Sequence, residues 1–160
     1  MYTRKSWREK LDNPGLPKLV EIPPKMQKQF GSGMMLVPSP REVDALIRTV
    51  PKGRVITVSR IRETLASNHM ADVTCPLTTG IFVRIAAEAA EEEARAGKSR
   101  ITPYWRVVKD DGSLNPKFPG GTEAQARKLR VEGHRIVPGV GKRSPRVRIA
   151  ASTPPDFSAA

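Results

Sequence analysis

The chain has a single cysteine, Cys75, in 160 residues, so neither an intramolecular disulfide framework nor a cysteine-rich zinc site can hold it together. Nothing in its thiol content argues against a reducing compartment. No segment approaches the ~20 apolar residues needed to cross a bilayer. The charged opening MYTRKSWREKLDN is followed by no apolar run, which is the pattern of neither a leader peptide nor an anchor. A cytoplasmic protein that does not enter the membrane is expected. Carboxylates are also scarce: 16 Asp and Glu face 28 Lys and Arg. The resulting formal charge of +12 favours polyanionic partners such as nucleic acid or an acidic surface, with a merely soluble basic protein as the plain alternative. The length suits one domain with a real core and at most a short extension.

Proline and glycine mark the organisation. Up to about Pro40 the segments NPGLPK, IPPK, GSGMM and VPSP break any long helix, so residues 1–39 read as an arm lying over the domain, with a short helix at Ser6 to Leu11. Residues 40–149 read as the domain, and residues 150–160, which include STPPDFSAA, as a disordered tail. SPREVDALIRTV offers Ser39 as a cap and Pro40 in the first turn, with Val43, Leu46, Ile47 and Val50 at helical spacing. RVITVSRIRETLASNH reads as an extended entry and a helix from about Ser59, with Ile61 and Leu65 on one face. A loop with His69 and Cys75 follows. CPLTTGIFVRIAAEAAEEEARAGK is the strongest helix: Pro76 suits its first position, Ile81, Phe82, Ile85, Ala86 and Ala89 form its apolar face, and Gly97 stops it.

Two consecutive helices with a short connection raise a helix-turn-helix. TPYWRVVKDDGSLNPKF reads as a strand into a turn at Asp111-Gly112, with room for a second short strand. TEAQARKLRVEG is a further helix with Thr122 as cap and Gly133 just past its end, and HRIVPGVGKRSPRVRIA offers a closing strand or two. The expected fold is mainly α with a small β wing, a winged helix-turn-helix.

VPKGRVITVSRI, TTG inside a long helix, PYWRVVKDDGSL, PGG and EGHRI follow one another in an order that resembles the DNA-binding domain of the alkylguanine-DNA alkyltransferases and their non-enzymatic alkyltransferase-like relatives. The resemblance covers Pro40 to Ile136 and rests on order and spacing rather than on any one piece. It implies a monomer that binds duplex DNA, recognises alkylated or flipped bases in DNA repair, hands over to a repair partner, and uses no cofactor or metal. In that family a Pro-Cys-His-Arg-Val run supplies the thiolate that accepts the alkyl group. This chain has Pro103, Tyr104, Trp105, Arg106 and Val107 instead. A phenol of ordinary pKa near 10 is a poor nucleophile and an indole is no base. The departure implies a protein without catalytic residues.

The same resemblance places the family's intercalating arginine near Leu77 and its phosphate-rotating tyrosine near Val58. Leu77 could wedge between bases or belong to the core. Leu77, Thr78, Thr79, Arg84 and Arg106 are the DNA-binding candidates, and Tyr104, Trp105, Phe118, Gly120, Gly121 and Glu132 the pocket candidates. Pro51, Gly53 and Gly80 match the scaffold. The family's glutamate completes a relay with its histidine. With Trp105 there instead, Glu132 is expected to hold backbone or Arg106.

Other readings stay open. Tyr104 and Trp105 stack on a base, worth about 1–3 kcal/mol, or simply pack the core. Cys75, just ahead of Pro76, suggests a residual methyltransferase activity at a helix N-terminus, although neither His69 nor His134 is placed by a motif to serve it. The alternative is a small buried residue. Glu88 and Glu91 to Glu93 would repel phosphates, leaving only the first turns of that helix to approach DNA. They form a solvated face or meet the basic C-terminal segment. Arg143, Arg146 and Arg148, with Arg127, Lys128 and Arg130, form a phosphate-contacting surface or ordinary solvated charge. The arm and the acidic helix end also suit a protein–protein adaptor that reuses the fold.

Overall fold

The computed structural model describes residues 4–148, so the expected tail at 150–160 lies outside the described residues. Among them are six α-helices and three small sheets. This is a helical domain with small β elements. Helix α1 is Trp7–Lys10, strand β1 Lys18–Glu21, α2 Pro24–Phe30 and β2 Met34–Val37. Then come α3 Pro40–Arg48, β3 Ile56–Thr57, α4 Val58–Asn68, β4 Val73–Thr74 and α5 Pro76–Arg95. A single 3-10 turn, Tyr104–Arg106, leads into β5 Val107–Val108, α6 Gly121–Val131, β6 Ile136–Val137 and β7 Arg146–Val147.

Helix starts follow local chemistry. The Ser39 hydroxyl accepts the Glu42 N–H and Pro40 opens α3, so Val43, Ile47 and Val50 turn inward. Thr57 caps α4 in the same way, and Asp110 reinforces it from across the fold by accepting the Ser59 N–H at 3.0 Å and its hydroxyl at 2.6 Å. Thr122 does not cap α6. Gly120, at φ +77°, turns the chain into a helix that begins at Gly121 without a side-chain cap. A Cβ at Gly120 would crowd Ala124, so the entry depends on glycine.

Residues 4–39 do more than lie over the domain. β1 pairs antiparallel with β2, and β2 pairs parallel with β4, which connects α4 to α5. Leu36 is buried in the main core with Val43, Ile61, Phe82 and Tyr104. The segment 104–114 supplies β5, parallel to β3, while the second strand expected after the Asp111-Gly112 turn reduces to one bridge between Ser113 and Arg146. β6 and β7 form an antiparallel hairpin seated by Val147 against Leu114 and Leu129.

The acidic end of α5 neither faces solvent as a whole nor meets the basic C-terminal segment. Glu92 accepts the Trp7 N–H at 3.0 Å and the Arg8 N–H at 3.2 Å, fastening α1 to α5. Glu93 lies 3.7 Å from Arg48 and 3.8 Å from Lys98. These carboxylates are structural ties. Glu92→Ala is therefore expected to release α1, costing about 1 kcal/mol as for a lost helix cap. Hydrogen exchange should show faster exchange confined to the first dozen or so residues, and unchanged protection there would refute the tie.

Candidate functional site

The turn at Tyr104–Arg106 stands where the resemblance puts an acceptor cysteine, and each of its side chains is held by a different element. Tyr104 points into the core, 1 % exposed, edge-on to Phe118 and Trp105 at 5.4 Å each. Its hydroxyl donates to Glu91 of α5 at 2.6 Å. Burial, then the bond to Glu91 and the charges of Glu91 and Glu88, push the phenol far above its ordinary range. Tyr104 thus remains protonated and fixed. Phe118 is equally buried, so neither ring offers a face to a base.

Trp105 is half-buried. Its indole N–H donates to Glu132 at 3.1 Å, and the Lys128 ammonium lies 4.8 Å from its ring centre. Arg106, taken from the sequence as a DNA contact, is committed inward. Its guanidinium donates to Glu132 through Nε at 2.9 Å and Nη2 at 2.7 Å, and to the Val50 carbonyl through Nη1 at 2.6 Å. Burial opposes the Glu132 charge, but Arg106, Trp105 and the Gly53 N–H together hold its carboxyl below the usual carboxylate range. Glu132 does hold Arg106, as the sequence led one to expect. His134 lies beside this pair with its Nε2 enclosed and without a hydrogen-bond partner. Burial first, and the Arg106 charge second, lower its pKa against the opposing pull of Glu132.

Gln125 was not singled out in the sequence, although it sits at a core-facing position of α6 beside Ala126 and Leu129. It is fully buried and donates to the Trp105 and Val107 carbonyls at 3.1 and 2.9 Å while accepting the Asn115 N–H at 2.8 Å. The aromatic turn is thereby stitched to α6. Gly120 and Gly121 lie at the start of that helix, where they shape its entry.

The other DNA candidates divide along α5. Thr79 is fully buried, its hydroxyl donating to the Cys75 carbonyl at 2.7 Å, which removes it from any contact surface. Leu77 is 71 % exposed and Ile81 48 %, with Gly80 between them presenting bare backbone and Arg84 one turn further on. Ile81 was expected on the apolar face. The buried face runs through Phe82, Val83, Ala86, Ala87, Ala89 and Ala90, which leaves Ile81 outside it. Thr78 lies half-buried at the margin, and Arg84 stacks loosely over Trp7 at 5.8 Å.

Cys75 sits just before α5 but is buried with Ile22 and Met35. No imidazole attends it: His69 bonds Glu42 at 3.0 Å, and His134 lies beside Glu132 and Arg106. Among the described residues, no group of three or more His, Cys, Asp or Glu could hold a metal ion. No helix among them is long and apolar enough to cross a membrane.

Comparisons with protein-family models, curated proteins and solved structures found no match.

The pKa directions set the pH dependence of stability. Glu132 is depressed when folded, so its stabilisation is complete above the unfolded value near 4.5 and is lost as pH falls through its lower folded value. His134 is also depressed, so below its unfolded value near 6.5 the unfolded chain takes the proton first and stability falls. Urea midpoints measured against pH should decline from about pH 6.5. That early decline should be smaller in His134→Gln. Glu132→Gln should cost about 3–5 kcal/mol at neutral pH, as expected for one partner left in a broken buried pair. A loss under about 1 kcal/mol would show that the pair behaves as a surface ion pair.

Proposed function

We infer that this chain is a DNA-binding protein of the alkyltransferase-like kind. In this reading α4 and α5 act as a helix-turn-helix, α5 is presented to the duplex, and the β6–β7 hairpin is the wing. The observation that carries it is the outward stripe Leu77, Gly80 and Ile81 at the start of α5. A helix that buries most of its length leaves two large apolar side chains in water beside a glycine, where a nucleic acid can approach closely. The net charge of +12 supplies attraction for a phosphate backbone. Leu77 stands near the position from which the family's finger enters the base stack, and an apolar wedge there serves a duplex already weakened by a lesion.

The reading is non-catalytic. Tyr104 at the acceptor position is buried, bonded to Glu91 and raised in pKa, and Cys75 has no base beside it. With Tyr104 and Phe118 filling the core, lesion recognition rests on Leu77 and Ile81 rather than on a deep cavity behind Tyr104. The protein works as a cytoplasmic monomer that marks damaged DNA for a repair partner. A second reading, a protein–protein adaptor, draws on the same exposed Leu77 and Ile81, since such a stripe also suits a protein groove.

Fluorescence anisotropy with matched duplexes, one plain and one carrying an alkylated guanine, separates the two across a salt series. Binding should weaken steeply with salt, and Leu77→Ala should lower affinity for the alkylated duplex by about five- to hundredfold, the equivalent of about 1–3 kcal/mol. Intact mass should be unchanged after incubation with that duplex. Absence of salt-sensitive affinity for either duplex would favour the adaptor, whereas an alkyl mass shift on Cys75 would restore the enzyme.

A further inference from the structure

The β6–β7 hairpin ends in a tip built with unusual constraint. Arg143 N–H donates to the Val140 carbonyl at 3.2 Å, closing a turn through Gly141 at φ +64°. Gly139 packs so closely against the returning loop that a Cβ there would overlap the Arg143 carbonyl oxygen. The connection 138–145 is thus pinned at two points, the turn at Gly141 and the close approach at Gly139. At its apex Val140 is 80 % exposed, and Lys142 and Arg143 stand exposed beside it.

Charge gathers on both flanks. On one side a groove of about 610 Å³ is lined by Lys109, Lys142, Arg143 and Arg146, with Asp111 as its carboxylate. On the other, a hollow of about 310 Å³ lies between α6 and the hairpin, lined by Arg127 and Arg130, with Glu123 as its carboxylate. Asp111 is occupied in its own turn, accepting the Ser113 N–H at 2.9 Å, and feels the charge of Arg146. Among the described residues none of Arg127, Arg130, Lys142 and Arg143 pairs with a carboxylate. Concentrating like charge on a stiff element costs self-repulsion, which a polyanion laid along it would relieve.

We propose that this hairpin tip is a groove-entering anchor for duplex DNA that acts without reading sequence or lesion. Val140 goes toward the groove floor while Lys142, Arg143 and the flanking cations take phosphates on its walls. A two-stranded ribbon is narrow enough for a DNA groove. With Lys142 and Arg143 engaged on phosphates, only the apolar Val140 faces the bases, so the tip's contribution is the same on any sequence. The preset turn limits the ordering cost of docking. The inference rests on the duplex-binding reading above and adds a second element, distinct from α5, that holds the protein on undamaged DNA.

The test uses the full chain and two plain duplexes of unrelated sequence. Lys142→Ala/Arg143→Ala should weaken binding to both equally, by about tenfold at low salt, and reduce the slope of log affinity against log salt by about 2. A charge-matched control on α2, Lys25→Ala/Lys28→Ala, should leave the slope near wild type. Gly139→Ala keeps every charge yet should weaken binding about threefold if the preset tip matters. Thermal melting of each variant confirms that the fold persists. If the hairpin variant matches the α2 control while Leu77→Ala still loses the alkylated duplex, the hairpin anchor is refuted and the α5 reading stands. If Gly139→Ala binds as wild type, the preset tip is refuted. If the wild type binds no duplex, the reading beneath both fails.

Discussion

A buried carboxylate is costly in a medium of low polarity unless donors surround it, and Glu132 collects donors from two separate stretches of chain. The Trp105 indole, the Arg106 guanidinium and the Gly53 N–H converge on it, and Arg106 extends the link to the Val50 carbonyl beyond the end of α3. Removing any one donor would leave charge facing apolar surroundings. The exit of α3, the aromatic turn and the end of α6 therefore have one mutual arrangement. That arrangement lays β5 beside β3 and positions Asp110 to cap α4. From there the constraint reaches α5, whose orientation depends on α4 and β4.

The helix starts were legible because their causes are local. Ser39 with Pro40, Pro76 after Cys75, and Gly97 and Gly133 past helix ends act through neighbouring backbone, which a one-dimensional pattern records. Thr122 misled because a hydroxyl near a helix start resembles a cap, whereas Gly120 had already set the entry. Strands of two residues carry no alternation to read, and β1 is mostly exposed, so neither periodicity nor apolar content announces them. The site was legible only in outline. The motif order located the aromatic turn and Glu132, but Glu91, Glu92 and Asp110 look like solvent-facing acids until the fold brings their partners near.

The long helix α5 divides its work by position. Its C-terminal half supplies carboxylates to α1, Tyr104 and Arg48, and so serves as a spine. Its first turns leave Leu77 and Ile81 unoccupied beside a bare glycine backbone. Acid at the inner end and its absence at the outer end allow one helix to brace the domain and still leave one face open.

The bond between Tyr104 and Glu91 joins positions thirteen residues apart into one hereditary unit. A phenol buried without an acceptor, or an acid left beside a smaller apolar residue, would each carry the penalty of an unsatisfied polar group. Change at either position is tolerated best when the other changes with it. Among descendants of this chain the two sites should drift together, and a lineage placing a smaller side chain at 104 would first have to replace the acid at 91.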